Sequence, residues 1–307
     1  MQVIPVNLIR GRRKRADELP RTPKPEWLKV RAPGSENYHR LKGLMRTLGL
    51  HTVCEEANCP NIGECWHHGT ATFMILGDTC TRSCGYCNVI HGTPAGPDPY
   101  EPAHVASAIE AMSLAHVVIT SVDRDDLPDY GAGHFARTIT ETHARVPDCS
   151  VEVLIPDFKG DEAALRTVLD AGPDILNHNI ETVPRMYRLA RPGGRYDRAL
   201  QLLDRSRRHA PGIPTKSGIM VGLGEEWDEV VSTLRDLRQA GCQIVTIGQY
   251  LRPSAANLPM SRYYTPAQFA ELKRIGLDLG FGHVESGPLV RSSYHAHEQV
   301  QSLAATR

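Results

Sequence analysis

From residue 71 the chain alternates between two hydrophobic periods. Residues 71–76 (ATFMIL), apolar but for Thr72, read as a buried strand. Residues 104–114 then place Val105, Ile109 and Met112 on one face of a helix. The same alternation recurs along the chain. Strands are predicted at 116–120, 151–155, 174–176, 215–221 and 243–247, and helices at 133–145, 161–170, 182–190, 197–209 and 226–239. The last of these helices is expected to bury Trp227, Val230, Val231, Leu234 and Leu237. Thr265-Pro266 opens a further helix, as N-cap and first helical residue, that runs to about Leu279. A short strand is expected near 281–285.

Strand followed by helix, six times over, predicts parallel βα units with right-handed crossovers. An open doubly wound sheet and a full or partial TIM-like barrel both satisfy the pattern. Polar residues cluster directly after the strands: Asp123-Arg124-Asp125-Asp126, Asp157, Asn177-His178-Asn179 with Glu181, Gly222-Leu223-Gly224-Glu225, and Gln249-Tyr250-Leu251-Arg252. These are the carboxyl ends of the strands, where α/β folds keep their active sites. Gly222 and Gly224 form no phosphate loop, because no Gly-Lys-Ser/Thr follows.

The first 50 residues are polar, basic and proline-rich, and RGRRKR at 10–15 reads as a solvated tail or a docking patch for an acidic partner. Tyr38, Leu41, Leu44, Met45 and Leu48 recur at helical spacing. Residues 1–6 have no apolar signal core, and no apolar run approaches the ~18 residues of a membrane span. Lys and Arg number 35, as do Asp and Glu, so no global basic field points to nucleic acid. A cytoplasmic protein with neither membrane nor nucleic-acid partners is expected.

The cysteines change the picture most. Six of the eight lie between positions 54 and 87 of a 307-residue chain, unlike the spread of a disulfide scaffold. Cys80, Cys84 and Cys87 form C-x3-C-x2-C directly after the first strand. Three close thiolates can hold a cubane [4Fe–4S] cluster with one iron free to bind a substrate or cofactor. Tyr86, just before the last cysteine, is placed to shield such a cluster. Cys54, Cys59 and Cys65 form C-x4-C-x5-C ahead of the barrel pattern. A second iron–sulfur cluster is the favoured reading. A zinc site completed by His67 or His68 and plain free thiols are the alternatives, although the histidines follow Cys65 too closely for easy chelation of one ion. Cys149 and Cys242 read as small core residues, and His91 and His104 have no evident metal partner.

CTRSCGYC resembles the signature of the radical S-adenosylmethionine (SAM) superfamily. With CEEANCPNIGECW, KPEWLKV (24–30), DRDDLPDYG (123–131), NHNIETVPR (177–185), TKSGIMVGLGE (215–225), QYLRPS (249–254) and GPLVRSSYHA (287–296), the chain is similar to the lipoyl synthase family within it. The resemblance covers nearly everything after residue 24. It implies a partial TIM-like (βα)6 barrel over 71–285, with a basic segment at 1–36, an auxiliary-cluster extension at 37–70 and a C-terminal tail at 286–307 folding back over the barrel mouth. It implies two [4Fe–4S] clusters and SAM, with Cys80, Cys84 and Cys87 on the SAM-binding cluster. Cys54, Cys59, Cys65 and, by family position in Arg291-Ser292-Ser293-Tyr294, Ser293 would hold the auxiliary one. Asn179, Glu181, Lys216, Gln249 and Arg252 are expected to face the SAM cavity, and Asp123 and Asp125 are alternatively expected to pair with arginines.

The activity implied is insertion of two sulfur atoms, drawn from the auxiliary cluster, at C6 and C8 of a protein-bound octanoyl-lysine. Octanoylated lipoyl carrier domains of 2-oxoacid dehydrogenases or the glycine-cleavage H protein are the implied substrates. An electron donor and iron–sulfur carrier proteins are further implied partners. Another radical SAM sulfur-inserting enzyme and a non-catalytic zinc-binding module are the rival readings.

Overall fold

A computed structural model describes residues 25–29, 34, 36–56, 59, 61, 62 and 71–294, without the side chains of Glu36, Asn37, Leu41, Cys54 and Glu56. The basic run at 10–15, the Cys54 side chain, Cys65, His67, His68 and residues 295–307 lie outside the described residues.

One eight-stranded sheet organises the fold. Its strands are β1 (His51–Thr52), β2 (Ala71–Ile75), β5 (His116–Ser121), β6 (Ser150–Leu154), β7 (Ile175–Asn177), β8 (Thr215–Val221), β9 (Ile244–Gln249) and β10 (His283–Gly287), in that spatial order. Every pair from β2 to β10 is parallel, and β1 alone runs antiparallel, His51 opposite Met74. With β1 and β10 as free edges, the sheet is an open, partial TIM-like barrel. A separate parallel pair, β3 (Thr79–Cys80) with β4 (Ile90–His91), brackets the C-x3-C-x2-C loop.

Nine helices of four or more residues are described: α1 (Glu36–Thr47), α2 (Val53–Glu56), α3 (Glu101–Ala111), α4 (Ala132–Arg145), α5 (Glu162–Asp170), α6 (Pro184–Ala190), α7 (Tyr196–His209), α8 (Trp227–Gln239) and α9 (Pro266–Asp278). The α9 start matches the sequence expectation. Thr265 Oγ1 accepts from Gln268 N at 3.2 Å, and Thr265 N donates to Gln268 Oε1 at 2.9 Å. The six βα units appear where the periodicity predicts them. Beyond them β10 adds a seventh parallel strand, two residues later than expected.

Two apolar cores fill the layers between sheet and helices. Phe73, Ile75, Ile119, Phe135 and Val153 belong to the first, which Met45 of α1, Leu50 and Ile62 join. The segment ahead of the barrel is therefore packed into its core. Val230, Leu234, Leu237, Ile247 and Phe269 belong to the second. Trp227 departs from the expectation. It is only half-buried and stacks on Tyr264, ring centroids 6.3 Å apart. Opening α8 leaves it at the rim of the core, whereas Val230 lies a turn deeper.

Candidate active site

The loop carrying Cys80, Cys84 and Cys87 is cast against the loops that follow β5 and β6. Thr81 donates through N and Oγ1 to Asp123 O, at 3.0 and 2.9 Å, and accepts from Asp125 N at 3.0 Å. Arg82 supplies the charge that locks it. Its Nε and Nη2 donate to Asp125 at 2.9 and 2.8 Å, Nη2 also reaches Asp157 Oδ1 at 2.7 Å, and Nη1 stands 3.3 Å from Asp123 Oδ1. Arg198 closes on Asp157 Oδ2 at 3.0 Å. The planar guanidinium fork suits this bidentate grip. The aspartates expected to pair with arginines do so, on one arginine inside the cysteine motif.

The far end of the loop is strapped by residues 250–262. Asn257 Nδ2 donates to Cys87 O at 2.8 Å, Leu258 N to Gly85 O at 2.8 Å, and Gly85 N to Ala190 O at 2.8 Å. A Cβ on Gly85 would stand 2.8 Å from Leu258 Cγ, so glycine lets the strap seat.

Burial pushes the Cys80 thiol up to about 11, with the Asp123 carboxylate adding to it, and the Cys84 thiol up to about 12. The Cys87 and Cys59 thiols are also raised by burial. Such thiols ionise when a positive centre takes them as ligands, releasing protons. Cys80 Sγ already accepts backbone N–H bonds from Asp123 (3.3 Å) and Arg82 (3.4 Å). Among the described residues no three Cys, His, Asp or Glu side chains converge as a single-ion site requires. Thiolates that each hold a different iron of a cubane have no need to converge.

All three cysteines line one cavity of about 290 Å³, which Cys59, Ser292 and Ser293 line as well. Its lining also includes the apolar Val53, Met74, Val122, Leu154, Ile155 and Pro156, interspersed with Thr72, Thr120 and Ser121. A second cavity, of about 380 Å³, shares Tyr86, Cys87, Asn179, Glu181, Arg291 and Ser292 with it and extends to Gln249 and Arg252. Asn179 and Glu181 thus stand at the junction, as expected. Asn179 Nδ2 donates to Glu181 Oε1 at 3.2 Å, and the Tyr86 hydroxyl bonds the same carboxylate. Burial raises the Glu181 carboxyl above its ordinary range.

Asn179 Oδ1 is buried without a hydrogen-bond partner, and a Cβ on Gly218 would come within 2.7 Å of it. A polar acceptor left open beside space kept by a glycine fits a bound polar cofactor such as SAM. Three half-buried cysteines on one loop likewise fit an iron–sulfur group.

Lys216 requires a correction. It is wholly buried, its Nζ donates to Glu152 Oε2 at 2.9 Å, and it lines neither cavity. Asn177 Nδ2 holds the other oxygen of Glu152 at 2.8 Å. The lysine satisfies a buried carboxylate between strands, which leaves it nothing for a ligand. Gln249 lines the second cavity but spends its amide on the carbonyls of Val221, Tyr250 and Arg262 and on Tyr264 N. Arg252, also on that wall, donates to Asn257 O and Ala255 O. Both brace the strap.

At the other end of the first cavity the C-terminal segment folds back onto the segment ahead of the barrel. Asn61 Nδ2 donates to Leu289 O across 228 residues. Arg291 donates to Val290 O at 2.6 Å and to Gln249 O at 3.3 Å. Burial lowers its pKa, and nearby Cys59 partly restores it. Ser292 lines both cavities, whereas Ser293 lines only the one that contains Cys59.

Sequence reasoning missed Arg191. Buried at 7% exposure, it lines the first cavity, and its Nη1 donates to Asn179 O at 2.8 Å and Tyr187 Oη at 3.2 Å. His178 Nε2 is 3.5 Å away, and burial depresses this imidazole to about 3, so it is neutral. The available signal was position: Arg191 follows a helix directly after the NHNIE loop.

Comparison with known proteins agrees with this geometry. A model of the radical SAM superfamily matches residues 74–237, and one of the N-terminal domain of lipoyl synthase matches residues 7–59. The lipoyl synthase of Rubrobacter xylanophilus is 60% identical over 278 residues, 91% of this chain and 87% of that protein. That of Roseiflexus sp. is 56% identical, covering 93% and 96%. In fold, a crystal structure of methylornithine synthase superposes with a TM-score of 0.54 at 12% identity, covering 90% of this chain and 89% of its own. A maturase of the [FeFe]-hydrogenase superposes with a TM-score of 0.55 at 17% identity, covering 76% and 54%. Identity at this level, sustained almost end to end over a barrel of the matching kind, leaves one conclusion: the chain belongs to the lipoyl synthase family of the radical SAM superfamily.

Proposed function

We propose that this chain inserts two sulfur atoms, at C6 and C8, into an octanoyl chain carried on a lysine of a lipoyl carrier domain or glycine-cleavage H protein. One observation carries the reading: a single cavity is lined by Cys80, Cys84 and Cys87 and also by Cys59 and Ser293. When bound, a [4Fe–4S] cluster with SAM supplies a radical able to abstract hydrogen from an unactivated carbon, and a second cluster supplies sulfur.

The residues divide the remaining work. Cys80, Cys84 and Cys87 hold the first cluster, and Arg82 with its three aspartates fixes their loop. Cys54, Cys59 and Cys65, with Ser293, hold the second. Asn179 and Glu181, at the junction of the cavities, orient SAM. The apolar lining residues from Met74 to Pro156 take the alkyl chain and exclude water between the two ends. Among the described residues no helix is long and apolar enough to cross a membrane, and a soluble carrier domain is the substrate this reading requires.

The test is to incubate reconstituted protein with SAM, a one-electron reductant and an octanoyl-lysyl peptide, and to weigh the products. Exchange of two hydrogens for two sulfurs is expected. SAM cleavage with an unaltered peptide and an unaltered carrier domain would overturn the reading.

A further inference from the structure

Resting on the proposed function, one feature of the cavity goes beyond it: charges of opposite sign flank the cysteine loop. The Asp123 carboxylate lies on the Cys80 side, with Oδ2 3.9 Å from Sγ, and Asp123 N donates to the same sulfur at 3.3 Å. Arg82 approaches Asp123 at 3.3 Å and is shared with Asp125 and Asp157, which Lys159 and Arg198 also reach, at 3.6 and 3.0 Å. Arg191 lies on the Cys84 side, one residue after the Ala190 carbonyl that receives Gly85 N at 2.8 Å. Its hydrogen-bond partners are a carbonyl, a phenol and a neutral imidazole, and the carboxylates whose charge it meets are those of Glu181 and Asp123.

We infer that Asp123 and Arg191 are a charge couple that sets how readily the iron–sulfur group on Cys80, Cys84 and Cys87 accepts an electron. A fixed negative charge beside such a group disfavours the added electron, and a fixed positive charge favours it. The two requirements of the reaction pull apart. The group must be reducible by a one-electron reductant from solution, yet reducing enough to pass that electron on to a sulfonium. A couple of opposite sign, one member at each end of the loop, poises it between them. Both are positioning residues in this role, since they act through the cysteine ligands.

The experiment is a redox titration of the reconstituted full-length holoenzyme, followed by electron paramagnetic resonance. The signal that changes on adding SAM is assigned to this loop. At a fixed poise, Asp123→Asn raises the ratio of reduced to oxidised group about tenfold and Arg191→Gln lowers it about tenfold. A tenfold change is about 59 mV for one electron. Arg191→Lys, which keeps the charge, stays near the parent. A merely structural role shifts both neutral variants in the same direction. Shifts of the same sign, or ratios within about twofold of the parent at full iron content, overturn the inference. Should Arg191→Gln fail to load iron, Asp123→Asn decides alone, by rising or not. A parent chain that loads no cluster on these cysteines would instead defeat the proposed function, so the two failures are read separately.

Discussion

The two ends of the shared cavity are built in contrasting ways. Around Cys80, Cys84 and Cys87 the chain makes a local mould. The partners of Arg82 lie 41 to 75 residues away, on the loops after adjacent strands, and ion pairs and backbone bonds fix nearly every residue of the loop. Around Cys59 and Ser293, among the described residues, a contact across 228 residues joins the Asn61 amide to the Leu289 carbonyl, and Arg291 meets backbone carbonyls. A mould suits a group that stays through turnover. A junction of segments distant in the chain suits one that is consumed, as proposed for the auxiliary cluster.

The largest effect that would break this comparison comes from the mould. Replacing Cys80, Cys84 and Cys87 by alanine is expected to lower iron from about eight to about four per chain and to bring SAM cleavage to background. Retained cleavage would show that the mould is scaffolding alone. Next, replacing Cys54, Cys59 and Cys65 together should leave reductive SAM cleavage measurable while lipoyl product disappears from the mass spectrum. Product from that variant would remove the auxiliary end from the chemistry.

Ser293 sharpens the contrast further. An oxygen ligand beside thiolates is the harder, more easily released one. Ser293→Cys should therefore keep full iron content and SAM cleavage yet stall before the dithiolated product, whereas Ser292→Ala should turn over. An equal effect at both serines, in a single-turnover assay, would dissolve the distinction between them.

The smallest effect is on stability, and its sign follows from His178. Burial holds this imidazole at about 3, below the ordinary value of about 6.5 in an unfolded chain. The unfolded state then binds the extra proton first. The contribution is complete above about pH 6.5 and is lost as pH falls toward 3. Moving from pH 7.5 to 5.5 should cost about 1 kcal/mol in urea unfolding, and His178→Asn should flatten that slope. An unchanged slope would show that His178 is not neutral in the folded protein.

Much of this architecture is legible in the sequence because parallel strands buried on both faces must be written as largely apolar runs, as 71–76 and 116–120 are. Short elements are not legible on those terms: His51–Thr52 is too brief to carry a period, yet it completes an edge of the sheet. The two cysteine triplets stand out by spacing alone, and the fold brings Cys59, Cys80, Cys84 and Cys87 to one cavity. Lys216 was misread because strand-end loops are rich in functional polar residues, and a lysine one residue into a strand looks like one of them. Its partner, Glu152, lies in the apolar run VEVL two strands away, and only folding brings the two together. Arg82 and Arg191 escaped for a related reason. Sequence shows that the aspartates need cations, but not that Arg82 reaches them, nor that Arg191 turns to the Asn179 carbonyl instead.

The bond from Asn61 to Leu289 also sets an order of assembly. As the chain leaves the ribosome, the Arg82 mould has all its acidic partners once residue 157 has emerged. The auxiliary end waits for residues 289–293, which emerge well after residue 157. Synthesis therefore presents the two ends of the cavity to iron–sulfur delivery one after the other. A chain cut shortly before Leu289 would be born with the mould's acidic partners and without the clasp that closes the auxiliary end.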